Sequence, residues 1–423
     1  MQSLVERDYF TDHEILKDPY AFFNALREFG PVYQPPGKDY YIVTGFEEAL
    51  EVLRNHDTFS AAISLQGAGT ALPFTPEGSD INPQIEEHRR QFAGWDQVVN
   101  MDDDRHTKLR ALINTLFVPS RLKASEEFID KYCEEMVGKA VADGKVELID
   151  TIATPFVTMV VADLLGVPME DRNIFMDAIA AAPPPGSLDG HDPMDPATSP
   201  FAVMGKYFYR YIADRRANPR DDILTEFAFA KYLDGTTPEV YDLVQLGMFM
   251  FGAGQDTSAK LLGNAMRYLT ENPEMQRKLR NDPSQIGAFL EETLRLEGST
   301  KTTFRLARRT TTVGGYEIKA GTKIVIAFAA ANRDPRRWEN PQDFVFDRPR
   351  INQHLAFGRG LHTCIGAPLA RAEVRVLLEK FLEHTSDITL SPRHGKPGAA
   401  DLRYEPSYII RGLEDLHIEL KPR

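Results

Sequence analysis

The segment between Pro238 and the Asn272-Pro273 pair constrains the fold of this chain more than any other stretch. It is predicted to form one uninterrupted helix, which at 1.5 Å per residue would be roughly 50 Å long. Its middle, LVQLGMFMFGAG, is apolar on nearly every face, so other elements must surround it. The chain is therefore expected to fold around a long, buried central helix.

Helical periodicity recurs elsewhere, whereas the β-type patterns are short. We predict a helix from about Phe46, with Thr44 and Glu47 forming its capping box, and further helices over residues 105–117, 123–142, 149–165 and 284–296. Three hairpins are predicted: VYQ with YYIVT, VGGYEI with TKIVIAF through KAG, and LRYEPSYIIRG with LHIELK. Residues 181–200 are dense in Pro and Gly and predict a loop.

The fold class that follows is mainly α, with small β-sheets at its margins. Length alone would suggest two or three domains, but no Gly/Ser-rich linker, charge block or repeat divides the chain. We therefore predict a single large helical domain over residues 1–423.

Charge and cysteine content exclude several classes of function. The formal net charge of −13 disfavours nucleic acid as a partner, because phosphate binding needs clustered Lys and Arg. The charged N-terminal segment MQSLVERDYFTDHEILKDP has neither the apolar core of a signal peptide nor a membrane span, so we expect a cytoplasmic protein without membrane attachment. Cys133 and Cys364 are expected to be reduced.

The stretch FGRGLHTCIG, residues 357–366, sets Cys364 two positions after His362 and between glycines. A helix is predicted directly after it, from Pro368 in the first turn and an apolar stripe at Ala370, Val374, Leu377 and Phe381. A helix N-terminus favours a thiolate over a thiol. Such a thiolate suits a nucleophile with His362 as base, or the axial ligand of a haem; zinc is disfavoured because no second cysteine lies nearby.

This loop resembles, position by position, the haem-ligand loop of the cytochrome P-450 family, written F-G-x-G-x-H-x-C-x-G. The resemblance implies the cytochrome P-450 fold, a haem b cofactor and Cys364 as the ligand of its iron. It further implies that Phe357, Gly358 and Gly366 shape the loop around the porphyrin. Three other segments occur in the family's order, so the resemblance covers nearly the whole chain.

The first of these segments is AGQDT, residues 253–257, which resembles the family's oxygen-activating turn in the central helix. Gly252 and Gly254 each weaken a helix by about 1 kcal/mol relative to alanine, and a local opening of the helix for O2 and water would explain them. The resemblance implies that Ala253 lies against the haem. It also implies that Asp256 and Thr257 are an acid and alcohol pair that delivers protons to bound O2.

The second segment is EETLR, in which Glu292 and Arg295 lie three residues apart and share one helix face. In the family this pair joins a later arginine in a buried network, and Arg348 in FVFDRPR resembles that arginine. The implied role is structural, on the proximal side of the haem.

The third segment is MDDDRHTKLR, in which His106 and Arg110 lie four residues apart on one helix face. The resemblance implies that both bind haem propionates, together with Arg305 and His362. Burying two carboxylates requires several cationic or N–H donors. The family often has Asp-Pro-Pro where this chain has Asp-Asp-Asp, so the resemblance does not extend to the local loop shape, whereas the implied propionate role is unaffected.

The implied activity is that of a haem-thiolate monooxygenase, which inserts one atom of O2 into a substrate using two electrons from NAD(P)H. Because no flavin or iron–sulfur motif appears in the chain, the electrons must come from separate proteins, and a ferredoxin with its reductase is the family's expectation. Arg359, Arg371 and Arg375 flank the cysteine loop and are predicted to steer an acidic partner to it. We expect a monomer.

A chiefly apolar pocket is predicted to take a small or medium hydrophobic substrate, such as a terpenoid, aromatic or fatty compound. The variable segment before Met101, the loop at 181–200, the central helix and the strands after Arg295 are expected to select it. The candidate pocket residues are Trp95, Val98, Val99, Met248, Met250, Ala253, Thr303 and Ile409.

Two other functions remain open at this stage. A haem-thiolate peroxygenase would use hydrogen peroxide without redox partners, although the Asp256-Thr257 pair disfavours it, since peroxide already carries the protons that the pair delivers. A non-catalytic haem protein that senses a gas or carries electrons would need neither a substrate pocket nor a proton-delivering pair.

Overall fold

A computed structural model describes residues 4–114, 117, 119–181, 185–188, 200–396 and 399–423. Most of the predicted loop at 181–200 lies outside these described residues. Within them the fold is mainly α, as the sequence predicted. The helices are α1 His13–Lys17, α2 Tyr20–Arg27, α3 Phe46–Arg54, α4 Asn82–Glu87, α5 Asp103–Asn114, α6 Pro119–Asp143, α7 Thr154–Leu164, α8 Arg172–Ala180, α9 Pro200–Ala217, α10 Ile223–Ala228, α11 Val240–Glu271, α12 Pro273–Asn281, α13 Ile286–Glu297, α14 Phe328–Ala331 and α15 Ala367–His384.

The strands are short and form small sheets beside the helices. They are β1 Val32–Tyr33, β2 Tyr40–Val43, β3 Phe59–Ser60, β4 Lys145–Glu147, β5 Thr302–Ala307, β6 Thr311–Val313, β7 Tyr316–Ile318, β8 Lys323–Ala327, β9 Thr385–Leu390, β10 Gly395–Lys396, β11 Ala399–Ala400 and β12 His417–Pro422. The largest sheet has the order β1-β2-β8-β5-β3, and a smaller one has the order β4-β12-β9.

The predicted central helix is α11, whose 32 residues correspond to a length of about 48 Å. Helices α7, α9, α13 and α15 pack around it. Leu243, Val244, Leu246, Met250 and Phe251 are all buried in the largest hydrophobic cluster, which explains why this part of the sequence is apolar on nearly every face. None of the described helices is both long enough and apolar enough to cross a bilayer.

The first predicted hairpin is confirmed, but the other two are wrong. β1 and β2 pair antiparallel as expected. β7 pairs with β6 instead of β8, because β8 is buried along its whole length and uses both edges, against β2 on one side and β5 on the other. β12 pairs with β4 and β9, and the segment before it contributes only isolated bridges.

The capping box predicted for α3 is also wrong. Gly45 is the N-cap residue and has no side chain to donate or accept. The first helical N–H, that of Phe46, instead donates to Oδ2 of Asp334 at 2.8 Å. A carboxylate from a distant segment therefore satisfies the helix end, which no local pattern could show.

Candidate functional site

A cavity of about 310 Å³ lies between α11 on one side and the loop before α15 on the other. Residues of α5, α7 and β5 contribute to its remaining walls. All nine residues predicted to bind the cofactor line it: His106, Arg110, Ala253, Arg305, Phe357, Gly358, His362, Cys364 and Gly366. The tertiary structure thus brings four distant segments of the chain to one enclosed space.

The cysteine loop is shaped by two left-handed glycines. Gly358 has a φ of 65° and Gly360 a φ of 79°, which residues with a side chain rarely adopt. At Gly360 a Cβ would also collide with the carbonyl oxygen of Leu53. The N–H of Cys364 then donates to the carbonyl oxygen of Phe357 at 2.9 Å, and Cys364 is enclosed by the fold except where it lines the cavity.

The thiol of Cys364 lies just before α15, as predicted, and that helix has proline in its first turn. Burial raises the pKa of the thiol, while the N–H groups of Gly366 and Ala367 and the guanidinium of Arg110 act in the opposite direction. For the thiol by itself, burial has the larger effect on the pKa. A metal ion on the cavity side would supply the missing positive charge, since a coordinating thiol is deprotonated.

Four basic side chains form a cluster at one end of the cavity. The rings of His106 and His362 lie 4.1 Å apart between centroids. Arg305 donates to Oγ of Ser64 at 3.1 Å and to the carbonyl oxygen of Phe304 at 2.7 Å. Arg110 donates to the carbonyl oxygen of Thr363. In the part of the chain that the structure describes, neither arginine forms an ion pair with a carboxylate.

Burial and like charges outweigh the one nearby anion, Asp102, in the electrostatics of this cluster. Burial lowers the pKa of Arg305 to about 10 and, together with the charge of Arg110, lowers the pKa of His106 to about 4. Burial likewise lowers the pKa of His362 well below its usual value. His106 Nδ1 is buried without a hydrogen-bond partner. Two carboxylates, as carried by a haem, would satisfy these donors, so the residues fit that cofactor.

The opposite wall of the cavity is formed by the middle of α11. Thr257 lines it, and its hydroxyl donates to the carbonyl oxygen of Ala253 at 3.0 Å. The expected local opening of the helix is not observed, since α11 runs continuously from Val240 to Glu271. The glycines have a packing reason instead: a Cβ at Gly252 would lie 3.0 Å from Phe201 of α9, and one at Gly254 would lie 3.3 Å from Val161 of α7.

Asp256 is next to Thr257 in sequence but does not line the cavity. Its Oδ1 lies 4.0 Å from Nζ of Lys260, and its Oδ2 is buried without a partner. Burial raises the pKa of its carboxyl group, and Lys260 only partly offsets this effect. The two residues of the predicted proton-delivering pair therefore point to different sides of α11.

Sequence reasoning missed Glu373, a buried acid of α15 that lines the cavity. Burial raises its pKa to about 8, against a hydrogen bond from Ser258, and its Oε1 has no partner. A signal was present in the sequence: position 373 is three residues after Ala370 and four before Leu377, within the predicted apolar stripe. Because glutamate is almost never fully buried without a partner, an acid on an apolar helix face indicates a functional or paired carboxyl group.

The three residues of the predicted structural network meet in the core. Glu292 accepts from Arg295 at 2.8 and 2.7 Å and from Arg348 at 2.9 and 3.1 Å. All three side chains are almost completely buried. The remaining guanidinium N–H groups donate to backbone carbonyls, including those of Asn332 and Asp343.

The predicted pocket residues divide into two groups. Val98, Val99, Met250, Ala253 and Thr303 line the cavity, and Trp95, Met248 and Ile409 do not. Trp95 stacks instead under the guanidinium groups of Arg90 and Arg105. Met248 faces α9, and Ile409 packs against the segment that contains Gly186. Apolar and small polar lining residues that the sequence did not single out include Ile113, Val161, Phe249, Leu294, Ser299 and Thr300.

The three arginines near the cysteine loop are not equally free. Arg371 makes two hydrogen bonds to Glu291, at 2.6 and 3.0 Å, and Arg375 pairs with Glu379 at 2.6 Å. Arg359 donates only to backbone carbonyls, those of Gly358 and Asn352, among the described residues. Arg359 is therefore the strongest remaining candidate for contact with an acidic partner.

Comparisons with known proteins agree with this geometry. The family model described as Cytochrome P450 matches residues 201–392. Cytochrome P450 144 of Mycobacterium tuberculosis is 30% identical over 421 residues, covering 97% of this chain and 91% of that protein. The substrate-free structure of CYP150A6 from Mycobacterium marinum is 43% identical, with a TM-score of 0.93, over 99% of this chain and 100% of that one.

A solved structure of CYP109E1 from Bacillus megaterium in complex with corticosterone is also similar. It is 26% identical, with a TM-score of 0.78, and the alignment covers 96% of this chain and 99% of that one.

Proposed function

Since this chain belongs to the cytochrome P450 family of haem monooxygenases, we propose that it hydroxylates a small or medium hydrophobic molecule with O2 and two electrons from NAD(P)H. The observation that carries the proposal is the cavity, which is lined by Cys364 and Thr257 and holds at one end a cluster of basic side chains without carboxylate ion-pair partners among the described residues. The bound haem supplies the oxygen chemistry, and its thiolate ligand favours O–O bond cleavage.

The chain's own residues hold the cofactor. Cys364 is the ligand to the iron. Arg110, Arg305, His106 and His362 bind the two propionates, which offsets the cost of burying both sets of charges. Phe357 and the loop glycines would let the backbone approach the cofactor closely, and the small side chain of Ala253 would leave room for it beside α11.

Proton supply is assigned to α11. The hydroxyl of Thr257 lies at the cavity wall and donates to Ala253 in this structure, so it must rotate to face a reacting oxygen. Asp256, on a side of the helix that does not line the cavity, carries a proton and passes it towards Thr257. Thr257→Ala is expected to uncouple NAD(P)H use from product formation, and Ser299→Ala is a control in the same wall. Unchanged coupling in Thr257→Ala would contradict this role.

The substrate is proposed from the lining, which is mostly aliphatic and aromatic with the hydroxyl groups of Ser258, Ser299, Thr300 and Thr303 as polar exceptions. Such a pocket selects by apolar shape with a few hydrogen bonds. Because CYP109E1 was solved with corticosterone, a screening panel should include steroids as well as terpenoids, simple aromatics and fatty acids. A low-spin to high-spin shift of the haem spectrum would identify ligands.

Electrons are proposed to come from a ferredoxin and its reductase in the cytoplasm, acting on a monomer. Arg359 is proposed to contact the acidic ferredoxin, because the other two arginines already have carboxylate partners. Arg359→Glu should slow ferredoxin-supported reduction several-fold at low salt and less at high salt. Arg375→Glu, a reversal within an existing surface pair, is the matched control, and equal effects of the two changes would contradict the assignment.

The reduced, carbon-monoxide-bound absorption spectrum tests the central proposal. The wild-type protein should show the Soret band typical of thiolate ligation, and Cys364→Ser should lose it. Cys133→Ser, at a cysteine buried in the core, should keep it. A histidine-type band in the wild type would overturn the proposal.

A further inference from the structure

Behind the cavity wall, Lys260 links α11 to the C-terminal segment of the chain. Its ammonium group forms an ion pair with Oε1 of Glu405 and lies 4.0 Å from Oδ1 of Asp256. It also donates to the carbonyl oxygen of Leu413 at 3.4 Å. Lys260 therefore lies between two carboxyl groups, one of which belongs to the proposed proton-delivering pair.

The fold is built to admit this lysine. The N–H of Glu405 donates to the carbonyl oxygen of Gly412 at 3.0 Å, and Tyr404 forms an isolated antiparallel β-bridge with Leu413. The C-terminal segment therefore folds back on itself over α11. A Cβ at Gly412 would collide with the aliphatic part of the Lys260 side chain. The glycine thus leaves room for the lysine to reach Glu405.

If Asp256 and Glu405 were both ionised, their two negative charges would exceed the single positive charge of Lys260. The ammonium of Lys260 faces Asp256 and Glu405, and the exposed Asp150 lies on its other side. Glu414 adds negative charge near Glu405, and Lys301, whose own pKa is lowered well below its usual value mainly by burial, lies beyond it. One cation accordingly serves two buried acids, which favours keeping one proton on the pair.

The hydrogen bonding of the two carboxyl groups is consistent with one proton held by the pair. Oδ2 of Asp256 and Oε2 of Glu405 are both buried and have no hydrogen-bond partner. Burial, opposed by Lys260, raises the pKa of Glu405 to about 7. The Glu405 side chain is 12% exposed and that of Asp256 is 17% exposed, so both have limited contact with water.

We propose that Glu405 and Lys260 are positioning residues that reload Asp256 with protons from solvent, on a side of α11 that does not line the cavity. This inference rests on the proposed function. After Asp256 has given up its proton, a water molecule bridging the two carboxyl groups carries the proton of the Glu405 carboxylic acid to the Asp256 carboxylate, and Glu405 takes another proton from solvent. Lys260 stays protonated throughout and stabilises whichever carboxylate is charged.

An infrared pH titration of the haem-loaded protein tests this arrangement without requiring a substrate. The C=O stretch of protonated carboxyl groups should include a component with a midpoint at about pH 7, which Glu405→Gln removes. Lys260→Met should move that midpoint upwards, because the cation that favours the charged form is gone. Glu414→Gln, the same change on a neighbouring carboxylate that faces Arg403, should leave the component in place.

A comparison of two oxidants then tests the role in turnover. With NADH, a ferredoxin and its reductase, O2 consumption by Glu405→Gln should fall by about tenfold or more and show a larger solvent isotope effect than the wild type. Guaiacol oxidation driven by hydrogen peroxide should be unchanged, since peroxide brings its own protons. An equal loss with both oxidants would indicate damage to the fold and overturn the proposal.

The carbon-monoxide spectrum and the Glu405→Gln measurements together distinguish a failure of the proton relay from a failure of the proposed function. If the carbon-monoxide spectrum shows a thiolate ligand while Glu405→Gln leaves both the infrared component and the O2-supported rate as in the wild type, the relay is wrong and the monooxygenase assignment stands. If the spectrum lacks the thiolate band, the monooxygenase assignment fails whatever Glu405 does.

Discussion

At the scale of single residues, Arg305 and Arg308 are neighbours in sequence with opposite electrostatic situations. Arg305 is buried at the cavity without a carboxylate partner among the described residues. Arg308 is equally buried but pairs with Asp102 at 3.2 Å and Asp103 at 2.8 Å. One arginine is arranged to receive an external anion, and the other is neutralised within the fold.

Arg305→Met should therefore weaken haem binding by about 10- to 100-fold, since a hydrogen bond to a charged group contributes about 1.5 to 3 kcal/mol. The same change should raise the unfolding free energy of the haem-free protein by about 1 kcal/mol, because an unpaired buried charge is removed. Haem titration and urea unfolding measure the two effects. Arg308→Met, the matched control, should destabilise the haem-free protein by about 3 kcal/mol; a loss of stability in both variants would contradict the distinction.

Glu291 is a second residue whose charge has a measurable consequence. Burial disfavours its ionised form, but hydrogen bonds from His354 and Arg371 outweigh burial and lower its pKa to about 2. Burial lowers the pKa of His354 as well, so at neutral pH Arg371 carries the positive charge of this cluster.

Because the pKa of Glu291 is lower in the folded than in the unfolded protein, its contribution is complete above the ordinary value and is lost as the pH falls towards about 2. We expect Glu291→Gln to reduce the unfolding free energy at pH 7 by about 3 kcal/mol. The difference between wild type and variant should shrink between about pH 4.5 and about pH 2. Glu379→Gln, at an exposed pair, should change little, and a pH-independent difference for Glu291→Gln would contradict the assignment.

At the scale of elements, the start of α5 has a backbone conformation that proline could not adopt. Where the family often has proline, Asp103 has a φ of 52°, which a proline ring cannot adopt. The carboxylate of Asp103 is held by Arg308. The three consecutive acids thus accompany a different entry into the helix that carries His106 and Arg110.

Asp103→Pro should lower the unfolding free energy by about 2 kcal/mol or more, because proline fixes φ near −65° and the helix start must rearrange. Asp103→Asn removes the same charge but tolerates the left-handed conformation, so it isolates the ion pair with Arg308. Thermal unfolding of both variants measures the difference. Equal stability of the two would show that the positive φ imposes no constraint.

At the scale of the whole molecule, contacts between distant segments support the proposal of a single domain over residues 1–423. The hydroxyl of Tyr20 donates to Glu297 at 2.8 Å, and Arg411 donates to the carbonyl oxygen of Lys17. Asp334 caps α3 from nearly 300 residues away in sequence. The N-terminal, central and C-terminal parts of the chain therefore share one set of contacts.

If the chain is one domain, urea should unfold its helical and sheet-rich parts together. Trp95 packs against a hydrophobic cluster beside the large sheet and Trp338 belongs to the cluster beside α3, so single Trp→Phe variants leave one fluorescent reporter at either place in the sheet-rich part. The two fluorescence transitions and the circular dichroism of the helices should have the same midpoint. Two separate midpoints would divide the chain into two domains.

The features that could be predicted from sequence depend on residues close together in the chain. The central helix, the helix after Cys364 and the meeting of Glu292 with Arg295 all follow from helical spacing, because residues three or four apart share a helix face wherever the helix lies. The haem cofactor was likewise predicted from a local feature, the resemblance of the ten consecutive residues FGRGLHTCIG to a known loop.

The tertiary structure alone decided what depends on distant partners. β8 pairs with β2 along one edge and with β5 along the other. It does not pair with β7, although only a short turn separates the two strands in sequence. Thr257 faces the cavity while Asp256 faces Lys260 and Glu405, since packing around α11 sets which side of the helix meets which neighbour. Spacing along a chain determines which residues share a face, but the surroundings of that face are set only when the other elements pack against it.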